Sequence, residues 1–200
     1  ARRFSTGADR ANYPRTGHDG AGKLSGFDVD VIYVPDGDQI YPDGYSSNVS
    51  VTGVADVLEG EFRPGHFDGV ATVVAKLFLQ TGAHQAFFGQ KDFQQLMVVK
   101  RMARDLDIPI KVIGCPTVRE TSGLAMSSRN LQLSPEGLER AAKLYPIMQQ
   151  VAARLADGAS FAPLADEARL KLDALGFNGI EYFDLRCEDQ LPVSYTNIRA

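Results

Sequence analysis

Apolar positions along this chain fall into two rhythms, short contiguous runs and helical repeats, and the two alternate through its middle. Asp30-Val-Ile-Tyr-Val34 is a short apolar run closed by Pro35, the pattern of a strand buried in a parallel sheet. Tyr41-Pro-Asp-Gly44 carries Pro and Gly where a turn wants them. Asn48 to Val57 alternates loosely and predicts a strand leading into Leu58-Glu-Gly60. From Phe67 to Leu79, Val70, Val73, Val74, Leu77 and Phe78 recur at helical spacing, which predicts an amphipathic helix. Ala86-Phe-Phe88 predicts a brief strand ending at Gly89. A second helix follows, with Phe93, Leu96, Met97 and Met102 on one side and Pro109 beyond its end. Ile110-Lys-Val-Ile113 is the next strand. Strand, helix, strand is the grammar of a parallel sheet.

The pattern changes after Ser128. Ser134-Pro-Glu136 gives a hydroxyl N-cap, a Pro at the first helical position and an acid in the first turn, so a helix is expected from there to about Ala156, stopping at Gly158. Leu164 to Leu175 predicts another, stopped by Gly176, and Ile180 to Arg186 alternates like a strand. The expected organisation is an α/β domain over residues 1–131 and a small α+β unit over 132–200, hinged near Leu131–Ser134. Ala1 to Gly26, rich in Gly, Arg, Asp and Thr, reads as loop.

Composition narrows the function. The net charge of −4 argues against a general nucleic-acid binder, so a phosphate site would have to come from a few focused cations and backbone N–H groups. No apolar run is long enough for a membrane span, and Ala1–Arg10 does not read as a signal peptide. Cys115 and Cys187 have neither metal-ligand nor disulfide-framework spacing and read as reduced thiols of a cytosolic protein.

Three clusters can carry chemistry. Phe88-Gly-Gln-Lys-Asp-Phe-Gln-Gln95 lies where a parallel strand gives way to a helix, the place where open α/β sheets bind ligands. Gly89 would permit close backbone approach, Lys91 would supply a charge for phosphate, and Asp92 would cap the helix. Gln95, four residues on from Lys91, would share its side. A capped helix with solvated polar residues explains this stretch equally well. Thr121-Ser-Gly-Leu-Ala-Met-Ser-Ser-Arg-Asn130 offers hydroxyls, a guanidinium and a glycine hinge suited to a polyphosphate, although by itself it reads first as a solvated linker. Arg63 and His66 flank a Pro-Gly turn, where such residues more often organise the turn than bind an anion. His18 and His84 have no partners at metal-ligand spacing.

Taken in order, these clusters resemble the pantothenate synthetase family. The matching text is Leu58-Glu-Gly60, Arg63-Pro-Gly-His-Phe67, Lys76-Leu-Phe78, Phe88 to Leu96, Pro116-Thr-Val-Arg-Glu120 and Gly123 to Asn130, with Tyr13-Pro-Arg15 and Tyr41 to Gly44 fitting as well. The resemblance spans about Phe4 to Ala200. It implies a doubly wound, Rossmann-like nucleotide-binding domain similar to class I aminoacyl-tRNA synthetases, N-terminally incomplete, followed by the α+β lid. It also implies a reaction: ATP with Mg²⁺ activates pantoate to pantoyl adenylate, and β-alanine then attacks to give pantothenate and AMP. By the same resemblance Gly89, Gln90, Lys91 and Asp92 contact ATP and Gln95 holds pantoate. Val118 meets the adenine through its backbone. Met126, Ser127, Ser128 and Arg129 correspond to the KMSKS loop of the synthetases, with Lys91, Ser127 and Arg129 the catalytic groups. Arg63 and His66 flank the site, and no side chain is assigned to a metal. A cytoplasmic homodimer is implied, without nucleic acid or membrane.

Three departures qualify the resemblance. The family's HxGH motif does not occur in this sequence, Arg3 stands where the family has a pantoate-contacting Gln, and the sequence ends at Ala200 where family members continue. The expectation is therefore the greater part of a longer enzyme. The alternatives are a degenerate binding or assembly module, or another adenylate-forming nucleotidyltransferase on the same fold.

Overall fold

The computed structural model describes residues 22, 24–177 and 179–188. The expectations for Arg3, Tyr13–Arg15, His18 and most of the opening loop, and those beyond residue 188, lie outside the described residues.

Two short helical turns, α1 (Gly37–Ile40) and α2 (Glu59–Phe62), precede the long helix α3 (His66–Thr81). Phe67, Val70, Ala71, Val74, Ala75 and Phe78 are all buried, so one apolar stripe at helical spacing faces inward along α3. The helix ends at Gly82, whose left-handed φ of 59° lets its N–H close on Phe78 O at 3.0 Å. Strand β1 (Gln85–Gly89), helix α4 (Phe93–Asp105) and strand β2 (Lys111–Cys115) then form the expected βαβ unit. Among the described residues the sheet is these two strands, parallel, from Gln85 opposite Lys111 to Gly89 opposite Cys115. α3 and α4 bury one cluster between them with Val51 and Val54, and Phe78 meets Phe88 of β1 edge to face at 6.2 Å.

Three expected strands do not form among the described residues, two of them before α3. Asp30–Val34 makes no ladder there. Val31 and Val34 stay 77% and 72% exposed, and the segment is tethered by Tyr33 donating to Gln80 Oε1 at 3.2 Å. An apolar run becomes a strand only where a sheet edge accepts its backbone. Asn48–Val57 packs instead as irregular backbone. Val49 N–H donates to the buried Thr72 hydroxyl at 2.9 Å and Gly53 N–H to Asp56 Oδ2 at 2.7 Å, so side chains take the bonds a neighbouring strand would have taken.

Beyond residue 131 the described elements are helices α5 (Pro135–Ala142), α6 (Leu144–Ala156) and α7 (Phe161–Ala174). Ser134 caps α5 as expected, its hydroxyl accepting from Gly137 N at 3.1 Å. The single helix expected from Ser134 to Ala156 is broken at Lys143. Pro146 has no N–H for the carbonyl of Ala142, and its ring would clash there. Ile147, Val151 and Leu155 of α6 pack on Phe161, Leu164, Ala168 and Leu172 of α7 in a second cluster. Residues 180–186 carry no strand among the described residues, although Phe183 and Leu185 lean on that cluster.

Candidate functional site

A cleft of about 570 Å³ opens at the carboxyl end of β1. One wall is Gln90, Lys91 and Phe93; a second is Thr117, Arg119, Leu124, Ala125, Ser127 and Asn130; the third is Ala141, Leu144, Tyr145 and Met148 from α5 and α6. The strand-end cluster and the hydroxyl loop, 36 residues apart between Lys91 and Ser127, thus face one cavity.

The first wall follows from the end of β1. Residues 90–92 form a 3₁₀ turn before α4 begins. Gly89 is extended, with φ −67°, and a Cβ there would meet nothing within 4 Å. The protein itself does not demand glycine, which leaves an open backbone edge at the strand end. Gly114 on β2 differs: a Cβ would come within 2.9 Å of Leu96 and within 3.5 Å of the Gln90 side chain, so Gln90 lies across the sheet where only glycine fits. Asp92 is the N-cap of α4 by position but makes no side-chain cap. Its carboxylate accepts from Lys91 Nζ at 3.1 Å, because the neighbouring ammonium is the stronger partner. Gln95 is half-buried and off the cleft wall, unlike Lys91. The 3₁₀ turn advances about three residues per turn, so the four-residue spacing does not align the two as it would in an α-helix.

The second wall is a hairpin where a loop was expected. Arg119 and Ala125 form an antiparallel bridge, Met126 N–H donates to Val118 O at 3.0 Å, and Glu120 N–H donates to Leu124 O at 2.8 Å. Gly123, with φ 86°, makes the turn rather than a hinge. Alternation places Thr117, Arg119, Ala125 and Ser127 toward the cleft, while the Val118 and Met126 side chains are 66% and 53% exposed. Ser127 caps a 3₁₀ turn (Ser128–Gln132) by accepting from Arg129 N at 3.3 Å. Ser128 and Arg129 are exposed on that turn, beside the cleft but not on its wall.

Arg63 and His66 stand elsewhere. Arg63 pairs with Glu59 across α2, and His66 opens α3 with its ring edge-on to Phe67 at 5.0 Å. Gly65 between them has φ 75°, so the pair brackets a turn. That stretch is held by Gln94, which the sequence did not single out. Gln94 is buried; its amide donates to Val54 O at 2.8 Å and Val57 O at 2.6 Å and accepts from Glu59 N at 3.1 Å. These bonds bracket Leu58, which has φ 51°, a strained value for a leucine. Gly60 is fixed by the same loop, since a Cβ would overlap Ala55 O at 1.8 Å. The signal for Gln94 lay in the helical period, four residues before buried Val98. Arg119 and Tyr145 were also missed as wall residues; the period-two spacing of Thr117 and Arg119 was the available sign.

Phe62 stacks on Tyr182 at 5.8 Å, joining α2 to the segment after α7. Burial, with Glu59 and Glu181 nearby, raises the Tyr182 phenol above its ordinary value of 10.0. His84 lies exposed just before β1, and both cysteines are free and half-buried. Among the described residues no three His, Cys, Asp or Glu side chains gather as a metal site. No helix among them is long and apolar enough to cross a membrane.

Comparison with known proteins matches this architecture. The profile of the Pantoate-beta-alanine ligase family matches residues 1–199. The pantothenate synthetase of Ruegeria pomeroyi is 66% identical over 190 residues, covering 95% of this chain and 67% of the relative. That of Chelativorans sp. is 53% identical over 190 residues, covering 95% and 67%. The crystal structure of the Thermus thermophilus pantothenate synthetase superposes with a TM-score of 0.92 at 39% identity, covering 98% of this chain and 71% of that one. A Francisella tularensis pantoate-beta-alanine ligase, solved in complex with beta-gamma ATP and β-alanine, superposes with a TM-score of 0.77 at 37% identity, covering 88% and 64%. The chain spans about two thirds of the length of the relatives it matches. With a parallel βαβ core and these matches along nearly its whole length, the chain belongs to the pantoate-beta-alanine ligase family.

Proposed function

We propose that the cleft between β1, the hairpin and α6 is the adenylation site of an ATP-dependent ligase joining pantoate to β-alanine. The observation that carries the reading is that Lys91 and Ser127 line one cavity. A carboxylate oxygen of pantoate attacks the α-phosphorus of ATP, the α–β anhydride bond breaks, and pyrophosphate leaves. The free amine of β-alanine then attacks the acyl carbon of pantoyl adenylate. AMP departs, and the nitrogen loses a proton as the amide forms. No covalent enzyme intermediate is required.

In this reading the chain's residues stabilise charge and hold geometry. Lys91 meets the negative charge that builds on the phosphates, with Arg129 and Ser127 serving the leaving pyrophosphate from the facing loop. Gly89 and Gln90 receive the nucleotide at the open strand end, and Asp92 keeps the Lys91 ammonium in place. Val118 and Met126 contribute backbone, Ser128 a hydroxyl, and Gln95 holds pantoate. Arg129 is exposed beside the cleft and Gln95 lies off its wall, so their roles in this proposal rest on the family resemblance. Arg63 and His66 lie on the turn before α3, off the cleft wall, and no step is assigned to them. Magnesium would arrive with ATP and supply positive charge against the phosphates, with no side chain assigned to hold it. The division near 131–134 is supported by two separate hydrophobic clusters. A cytoplasmic homodimer completes the proposal, and sedimentation of the purified protein checks its oligomeric part.

The test is AMP release by the full-length protein given pantoate, β-alanine and Mg·ATP. AMP should appear only with both co-substrates, and Lys91→Ala should lower turnover by about 10²–10³-fold with the fold intact. Undiminished turnover in that variant would remove Lys91 from the mechanism.

A further inference from the structure

Arg119 is a half-buried cation on the cleft wall, and among the described residues no carboxylate forms an ion pair with it. Its neighbours are an aromatic face and a carbonyl. The guanidinium carbon lies 3.4 Å from the centroid of the Tyr145 ring, and Nη1 donates to Gly123 O at 3.2 Å. The ring also packs on the hairpin turn, since a Cβ at Gly123 would lie 3.8 Å from Tyr145 Cδ1. Tyr145 belongs to α6 and Arg119 to the hairpin, so this is a contact between the two units across the cleft. Only a planar guanidinium can stack flat on a ring and donate in its own plane at the same time.

Both sides of the contact are stiff. On the hairpin side, backbone bonds join Val118 to Met126 and Glu120 to Leu124, and Asn130 Nδ2 donates to Ala125 O at 3.0 Å. The hairpin, Ser127 and the following 3₁₀ turn therefore move together. On the helix side, Tyr145 stands immediately before Pro146, at the start of α6, where the break at Lys143 sets the direction from which the ring approaches. A change at the ring is thus passed to Ser127 rather than absorbed locally.

We propose that the Arg119–Tyr145 stack is the joint that fixes the Ser127 loop relative to Lys91, making both residues positioning residues for ATP. This rests on the reading of the cleft as the adenylation site. The test compares full-length wild type with Tyr145→Phe, Tyr145→Ala and Arg119→Lys. The readouts are KM for ATP, kcat, melting temperature, and amide hydrogen exchange over 118–132 without ligand. Tyr145→Phe keeps the ring face and should match wild type throughout. Tyr145→Ala and Arg119→Lys should each raise KM for ATP by about tenfold and speed exchange over 118–132, with melting unchanged. Wild-type KM and exchange in Tyr145→Ala would overturn the joint, as would a KM rise in Tyr145→Phe equal to that in Tyr145→Ala. If wild type makes no pantothenate, the reading of the cleft fails instead. Ligand-free exchange still decides the joint, because unchanged exchange in Tyr145→Ala overturns it alone.

Discussion

Ala86-Phe-Phe88 and Val31-Ile-Tyr-Val34 are both short apolar runs closed by a chain breaker, yet they end in opposite states. The first is strand β1, paired residue for residue with β2 and leaning on α3 through Phe88. The second makes no ladder among the described residues and leaves its side chains largely exposed. The difference lies outside either run. Residues 85–89 have α4 to bring a second strand alongside, whereas residues 30–34 have only a tyrosine tether to Gln80 among the described residues. Strand formation is a property of a pair, and only half the pair is visible in a local pattern.

Substitutions can sharpen that contrast. Leu96, 1% exposed beneath the sheet, should cost about 2–5 kcal/mol when changed to Ala, whereas Val31→Ala should stay within about 0.5 kcal/mol. Urea unfolding of the two variants checks the gap, and equal losses would mean that residues 30–34 are packed after all. Next in size is Gln94→Leu. It strands two carbonyls and an N–H around Leu58, and should cost about 2–3 kcal/mol. Faster proteolysis between Val54 and Arg63, with the βαβ unit intact, is the expected sign, because that irregular loop depends on one amide where the strands depend on a ladder.

The smallest effect belongs to the helical unit. Lys171 first, and Arg154 second, hold the exposed Glu167 carboxylate down from its ordinary value of 4.5 to about 2. A depressed carboxylate contributes stability that is present above its unfolded value and lost as pH falls through the folded one. The contribution should therefore fade between about 4.5 and about 2. Glu167→Gln should flatten the acid-unfolding curve slightly in that window, and no difference from wild type would show that screening by solvent cancels the pair.

The candidate site was legible in proportion to how local its geometry is. The strand-end position of Lys91 followed from an apolar run, a glycine and a helical period close together in the chain. The N-cap of α5 followed from Ser134 and Pro135. The expectation that Gln95 shares a side with Lys91 counted helical spacing from Lys91, whereas a 3₁₀ turn separates Lys91 from the start of α4 at Phe93. Arg119 and Tyr145 escaped because they meet across the cleft from 26 residues apart and no period connects them.

The sequence by itself determined the βαβ order, the Ser134 cap, the family and the residue types available for phosphate chemistry, since each depends on neighbours within a turn or two or on text long enough to match. Tertiary structure alone decided which apolar runs became strands and that Lys91 and Ser127 share a cavity. Those outcomes depend on pairing and approach between segments far apart in the chain, which no local pattern encodes; the break before Pro146 was local and could have been read from the sequence.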